Sequence, residues 1–237
     1  MKGALVVCAR AVQPGRVKTS FHSHLTEDQS AALYSRFLTD TCETTLDVEG
    51  VDFFLAHGPE AEAEHFQGIL PPSFTPLPQA ESGKGRRLAD LFERLLTGGY
   101  ERVLALCSDT PDLPICLVNQ AADILASGRA EMVYGPGEQD GFYLLGLRRW
   151  HRELFENVDW ESPQAGSRAM REARKLGLRV RSLPEWYRID SVKDLRRHLT
   201  YYTLRRGSCA DTGCQCRTGE YLFEIQDSIL PQVCRIV

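Results

Sequence analysis

Two carboxylates stand just behind a buried-strand run in LALCSDTPDLP, Leu104 to Pro114. Asp109 follows Cys107 by two residues, and Pro111 separates it from Asp112. Mg²⁺ and Mn²⁺ take carboxylate oxygens, keep several waters and complete their shell with substrate phosphates. One or two acids at a strand end supply that donor set. Asp112 fits equally well as the cap of a helix starting near Leu113. Capping does not account for Asp109, which makes it the better metal candidate.

A second polar cluster follows the first apolar run: Arg10, Gly15, Arg16 and Lys18. Glycine lets backbone N–H groups approach an anion, and the cations neutralise it. A solvated basic loop accounts for these residues equally well, and the loop lacks the full P-loop pattern. A third cluster is GPGEQDG, 135–141. Here Asp140-Gly141 reads as a hairpin turn and Gly135-Pro136 as punctuation.

His22 and His24 fit a polar loop. His57, His65, His151 and His198 show no metal-ligand spacing, and helix surface is the expectation for the last two. Cys8, Cys42, Cys107 and Cys116 read as small core hydrophobes. Cys209, Cys214 and Cys216 are not spaced as a standard zinc knuckle and read first as free surface thiols, the alternative being a zinc or iron–sulfur site with Cys234 as fourth ligand.

These groups need a scaffold. ALVVCA, 4–9, VDFFLA, 51–56, and RVLALC, 102–107, are continuous apolar runs, as in parallel strands covered on both faces. EMVYGP, 131–136, GFYLLGL, 141–147, and the alternating LRVRSL, 178–183, add three more strands. Thr26 before Glu27 and Asp28 caps a helix to about Cys42. Leu88, Leu91, Phe92, Leu95 and Leu96 form a stripe of helical period, ended by Gly98 and Gly99. Further helices are expected over 113–126, with Pro114 in the first turn, over 164–176, and over 191–204, where Ser191 and Asp194 form a variant capping box. LPPSFTPLPQ, 70–79, has four prolines and is expected to be an extended loop.

Strands alternating with helices predict a three-layer α/β/α domain with a mostly parallel sheet over 1–204. The composition shifts near 205, leaving 205–237 as a Cys-containing extension packed on that domain. In such sheets ligands sit beyond the C-terminal strand ends, where the three polar clusters fall. The 237 residues are 43% hydrophobic and 25% charged, ordinary values for one globular core. A net charge of -4 gives no sign of a nucleic-acid partner. No apolar run reaches the roughly 18–20 residues of a membrane span. The opening MKGALVVCARAV is too short in its apolar run for a signal peptide, so a cytoplasmic location is expected.

Four ordered motifs, VQPGRVKTSF, CSDTPDLP, YGPGEQDGFYLLGL and RIDSVKDL, resemble a group of bacterial GT-A-fold proteins regarded as nucleotide-diphospho-sugar transferases. Some of that group are linked to arsenosugar biosynthesis. The group is related to the guanylyltransferases of 2-phospholactate and of the molybdenum cofactor. FENVDW, 155–160, fits as well, and the likeness covers about residues 4–200.

The resemblance implies a nucleotide over the strand ends with its diphosphate on Mg²⁺ or Mn²⁺. By match, Arg10, Gly15, Arg16, Lys18, Arg87 and Ser108 would bind the nucleotide. Asp109 and Asp190 would bind the metal. Asp140, Gly141 and Phe142 would face the sugar or acceptor. Several positions depart from the group's pattern: Arg10 replaces Lys, Ser20 Arg, Cys107 Gly, Phe142 Gly and Arg188 Asp. In QAESGKGRR, Gln79, Gly85 and Arg87 match, while Gly83 stands where Asp would be.

The expected function is a metal-dependent glycosyltransferase joining the sugar of a nucleotide-diphospho-sugar to a small-molecule acceptor, with Asp140 as base if configuration inverts. The alternatives are a nucleotidyltransferase using a nucleoside triphosphate and a nucleotide-binding protein without catalysis.

Overall fold

The computed structural model describes residues 2–58, 65–79, 83–138, 141–206 and 216–230. Its strands are β1 (Gly3–Cys8), β2 (Val51–His57), β3 (Phe74–Pro78), β4 (Arg102–Cys107), β5 (Met132–Pro136), β6 (Phe142–Leu147) and β7 (Val180–Ser182). They form one sheet in the order β3-β2-β1-β4-β6-β5-β7. Only β6 runs antiparallel to its neighbours, β4 and β5.

The helices are α1 (Glu27–Thr45), α2 (Lys84–Thr97), α3 (Ile115–Ala126), α4 (Arg152–Glu156), α5 (Ala165–Lys175), α6 (Val192–Arg206), α7 (Arg217–Glu224) and α8 (Gln226–Ile229). The apolar runs are continuous because both sheet faces are covered. Leu5 and Val7 of β1 meet Leu38 of α1 and Val118 of α3 on one face. Ala4 and Val6 meet Leu91 and Phe92 of α2 and Phe155 of α4 on the other. Each fully buried Leu or Phe of the α2 stripe contributes roughly 1.5–3 kcal/mol.

The proline-rich stretch is a strand, not the expected loop. Phe74–Pro78 pairs in parallel with β2 and forms the sheet edge. Pro76 and Pro78 lack N–H donors, which an edge position tolerates.

Two of the expected caps form. Thr26 Oγ1 accepts from Gln29 N at 3.1 Å while Gln29 Oε1 accepts from Thr26 N at 2.9 Å. Asp194 Oδ2 accepts from Ser191 N at 2.8 Å. Gly137 N donates to Gly141 O at 2.9 Å.

A third apolar cluster joins the loop after β1, α1 and α6 to α7 and α8: Val17, Phe21, Phe37, Ile189, Leu199, Leu222 and Ile229. Asp40 of α1 caps α7, accepting from Thr218 N at 2.8 Å and Arg217 N at 3.2 Å. Residues 216–230 therefore pack on the main body. No helix among the described residues is long and apolar enough to cross a membrane.

Candidate functional site

The chain runs outward from β1 through β2 to β3, then returns to the other side of β1 with β4. That reversal opens a crevice beyond the carboxyl ends of β1 and β4, the place where open α/β sheets take ligands. Cys8 and Cys107, the last residues of the two strands, are register partners at its floor. β6 runs antiparallel to β4, so its first residue, Phe142, is delivered to the same end. Cys107 Sγ donates to Phe142 O at 3.3 Å. The crevice holds a cavity of about 380 Å³.

Of the expected residues, Arg10, Arg16, Lys18, Arg87, Ser108, Asp109, Phe142 and Asp190 all line this cavity. Gly15 sits in the loop behind it, at φ 76. Gly141 lies beside it and accepts from Tyr134 Oη at 2.8 Å. Asp140 lies outside the described residues, as do Cys209, Cys214 and Cys234.

The loop after β1 is held by Tyr34 of α1. Tyr34 Oη accepts from Arg10 N at 2.9 Å and shares a hydrogen bond of 2.8 Å with Ser108 Oγ. Ser108 is thereby committed to positioning the loop. Lys18 is the one non-glycine residue with positive φ among those described, at φ 52 and ψ 40. Its stem passes the rings of Phe21 and Phe37, with Nζ 5.6 Å from each centroid.

The Lys18 ammonium ends between the two acids expected to bind metal. It lies 2.6 Å from Asp109 Oδ1, 3.2 Å from Asp190 Oδ1 and 2.7 Å from Ile189 O. Arg188 Nη2 lies 3.2 Å from Asp109 Oδ2 and 3.1 Å from Asp190 Oδ2. Ile189 N donates to Asp109 O at 2.9 Å, which locks the two segments together. Burial raises the Asp109 carboxyl, and Lys18 and Arg188 more than offset this, holding it below the ordinary carboxylate range. Asp109 and Asp190 do come together, but the cations they share are side chains. Among the described residues no group of three or more His, Cys, Asp or Glu could hold a metal ion.

Across the cavity stands the start of α2. Lys84 Nζ lies 4.6 Å from the centroid of the Phe142 ring, and Glu161 accepts from Lys84 N. A Cβ on Gly85 would meet Trp160 Cδ1 at 3.1 Å, so glycine permits the close approach of α2 to Trp160. Lys84, Glu161, Tyr34 and Arg188 are cavity residues that the sequence did not mark as binding groups. Lys84, after Gly83 and at a helix start, carried a local signal. Glu161 had none, because only the fold brings it to α2. Altogether six cations face three carboxylates around the cavity.

Asp112 corrects the sequence reading. Pro114 is the N-cap of α3, without a side-chain bond. Asp112 turns away from the helix, into a buried network. Tyr187 Oη donates to its Oδ2, and Trp186 Nε1 lies 3.5 Å from its Oδ1. His198 Nδ1 is 3.4 Å from Oδ2. Burial raises the Asp112 carboxyl, and His198, Tyr187 and Trp186 more than offset it, leaving it below the usual range. His198, expected on a helix surface, is 2% exposed and also 3.8 Å from Cys216 Sγ. Cys8 and Cys107 pack against the core, as expected, and also line the cavity floor. Burial pushes the Cys8 thiol up to about 12. Cys116 is exposed.

A family model described as an uncharacterized protein conserved in bacteria (DUF2064) matches residues 41–162, just over half of the chain. Among solved structures, the chain resembles a protein of Desulfovibrio desulfuricans G20 provisionally named a nucleotide-diphospho-sugar transferase, with 24% identity, 97% of each chain covered and a TM-score of 0.82. A cytidylyltransferase from Leptospira borgpetersenii serovar Hardjo-bovis matches with 14% identity over 98% of each chain and a TM-score of 0.57. CMP:2-keto-3-deoxy-manno-octonic acid synthetase complexed with CTP matches with 12% identity over 86% of this chain and 100% of that one, at a TM-score of 0.58. At these identities the likeness is one of fold: a mostly parallel α/β sheet of the nucleotide-diphospho-sugar transferase type. Among curated proteins, none matches the chain.

Proposed function

The chain belongs to the bacterial DUF2064 family, and we propose that it is a transferase whose cavity binds a nucleotide-linked diphosphate, specifically the donor of a glycosyl transfer. The observation that carries this reading is the cavity at the β1–β4 reversal, where six cations outnumber three carboxylates. Neighbours of the same fold are named for nucleotide-sugar and nucleotide substrates, which supports the assignment.

In this reading Arg10, Arg16 and Arg87 supply charge to the diphosphate. None of the three has an ion-pair partner among the described residues, so each can offer its donors to phosphate oxygens. Lys84 approaches from the opposite wall. These fixed cations stabilise the negative charge that gathers on the leaving diphosphate as the glycosidic bond breaks. Gly15 shapes the loop, and Asp109 orients Lys18 and Arg188. Phe142 gives the sugar side an apolar wall. Asp140 immediately precedes Gly141 and is assigned the proton of the acceptor hydroxyl. The two acids that the resemblance gives to Mg²⁺ or Mn²⁺, Asp109 and Asp190, are already paired with Lys18 and Arg188, so no step is assigned to a metal.

The test incubates purified protein with nucleotide sugars and, separately, nucleoside triphosphates, each with Mn²⁺ and with chelator. Release of a nucleoside diphosphate from a nucleotide sugar supports the glycosyltransferase reading. Pyrophosphate release from a triphosphate replaces it with the nucleotidyltransferase alternative. Absence of both, with no nucleotide raising the melting temperature, sinks the reading altogether.

A further inference from the structure

We infer that this chain holds the diphosphate of its nucleotide without a divalent metal, the Arg188 guanidinium and Lys18 ammonium standing where the metal would be. The inference deepens the proposed function and rests on it for the identity of the ligand.

The geometry is specific. An ammonium has three N–H donors, and Lys18 Nζ has three acceptors: Asp109 Oδ1, Asp190 Oδ1 and Ile189 O. The two carboxylates are the ones that the resemblance assigns to a divalent ion. Arg188 Nη2 takes the remaining oxygen of each carboxylate. All four carboxylate oxygens therefore face a fixed cation, and the cluster is already neutral, with two acids against two bases. A divalent ion entering it would meet two like charges.

The backbone supports the same assignment. Lys18 holds a left-handed conformation that side chains with a Cβ rarely adopt. Such strain persists only where the surroundings enforce it, and here it carries Nζ to the centre of the acid pair. Arg188 binds both acids through Nη2 alone, so its other terminal nitrogen is left for a ligand in the cavity that it lines. Its planar fork suits phosphate oxygens.

The experiment titrates inorganic pyrophosphate and then UDP, CDP and GDP into the full-length protein by calorimetry, in EDTA and again in Mg²⁺. A parallel Mn²⁺ titration without ligand is followed by electron paramagnetic resonance. Wild type is expected to bind pyrophosphate in EDTA, with affinity changed less than about threefold by Mg²⁺, and to leave Mn²⁺ free. Arg188→Ala should weaken pyrophosphate in EDTA by roughly 10–100-fold. Arg188→Asp should lose it in EDTA and acquire Mn²⁺ binding. Pyrophosphate binding that appears only with metal overturns the inference, and so does tight Mn²⁺ binding by wild type or no pyrophosphate binding under any condition. The wild-type arms decide this even if a variant fails to fold. Should pyrophosphate bind in EDTA while no nucleotide binds, the metal-free anion site stands and the nucleotide reading falls.

Discussion

Lys18 Nζ and Asp109 Oδ1 meet at 2.6 Å, joining the loop after β1 to the end of β4 at the point where the sheet reverses direction. Lys18 is nearly buried and Asp109 only partly exposed, with side-chain exposures of 8% and 19%. The contact is therefore far less screened than a surface ion pair.

Lys18→Met removes one of the two cations on Asp109 and leaves Arg188. The variant is expected to lose about 1–3 kcal/mol of stability and to bind pyrophosphate about tenfold more weakly. Urea unfolding and calorimetry read the two effects separately. A variant of unchanged stability would show that the pair contributes nothing to the fold.

Asp112→Ala leaves the donors of Tyr187, Trp186 and His198 in a buried site. A loss of about 3–5 kcal/mol is expected, the range for breaking a buried pair. Asp112→Asn keeps shape and one acceptor, and should cost less. Asp112 does not line the cavity, so both variants, while folded, should bind pyrophosphate as wild type does. Binding lost in proportion to that of a cavity variant would contradict this placement.

The same residue sets a pH dependence. Its folded carboxyl titrates below the ordinary value of about 3.9. A depressed carboxyl contributes stability above the unfolded value and loses it as pH falls through the folded one. The advantage of wild type over Asp112→Asn should be full at neutral pH and shrink below about pH 4. Urea midpoints measured across that range check it. An advantage that grows on acidification would mean the wrong sign.

Asp40 holds the start of α7 through Arg217 N and Thr218 N. Asp40→Ala removes an N-terminal cap, worth about 0.5–2 kcal/mol. Amide exchange in 217–229 should accelerate by more than it does in β1 or β4. Uniform acceleration across the protein would instead place α7 and α8 within the global folding unit.

Much of the scaffold was legible because burial leaves a local trace. ALVVCA and RVLALC are apolar without alternation, since helices cover both faces of their strands. The α2 stripe and the Thr26 cap are equally local. The polar clusters after β1 and β4, which include Lys18 and Asp109, stood out by the rule that ligands sit beyond carboxyl ends. The four prolines hid β3, because whether a strand tolerates proline depends on its lying at an edge, and edge position is a property of the whole sheet.

The sequence by itself determined the α/β alternation, the acid behind β4 and the basic loop behind β1. Tertiary structure decided what those groups do to one another. It sent Asp112 into the network of Tyr187 and His198, brought Glu161 to the start of α2, and set Lys18 and Arg188 between Asp109 and Asp190. The physical reason is range. Periodicity and capping act over a few residues, whereas the state of a carboxylate is set by whichever charges the fold places within a few ångströms of it.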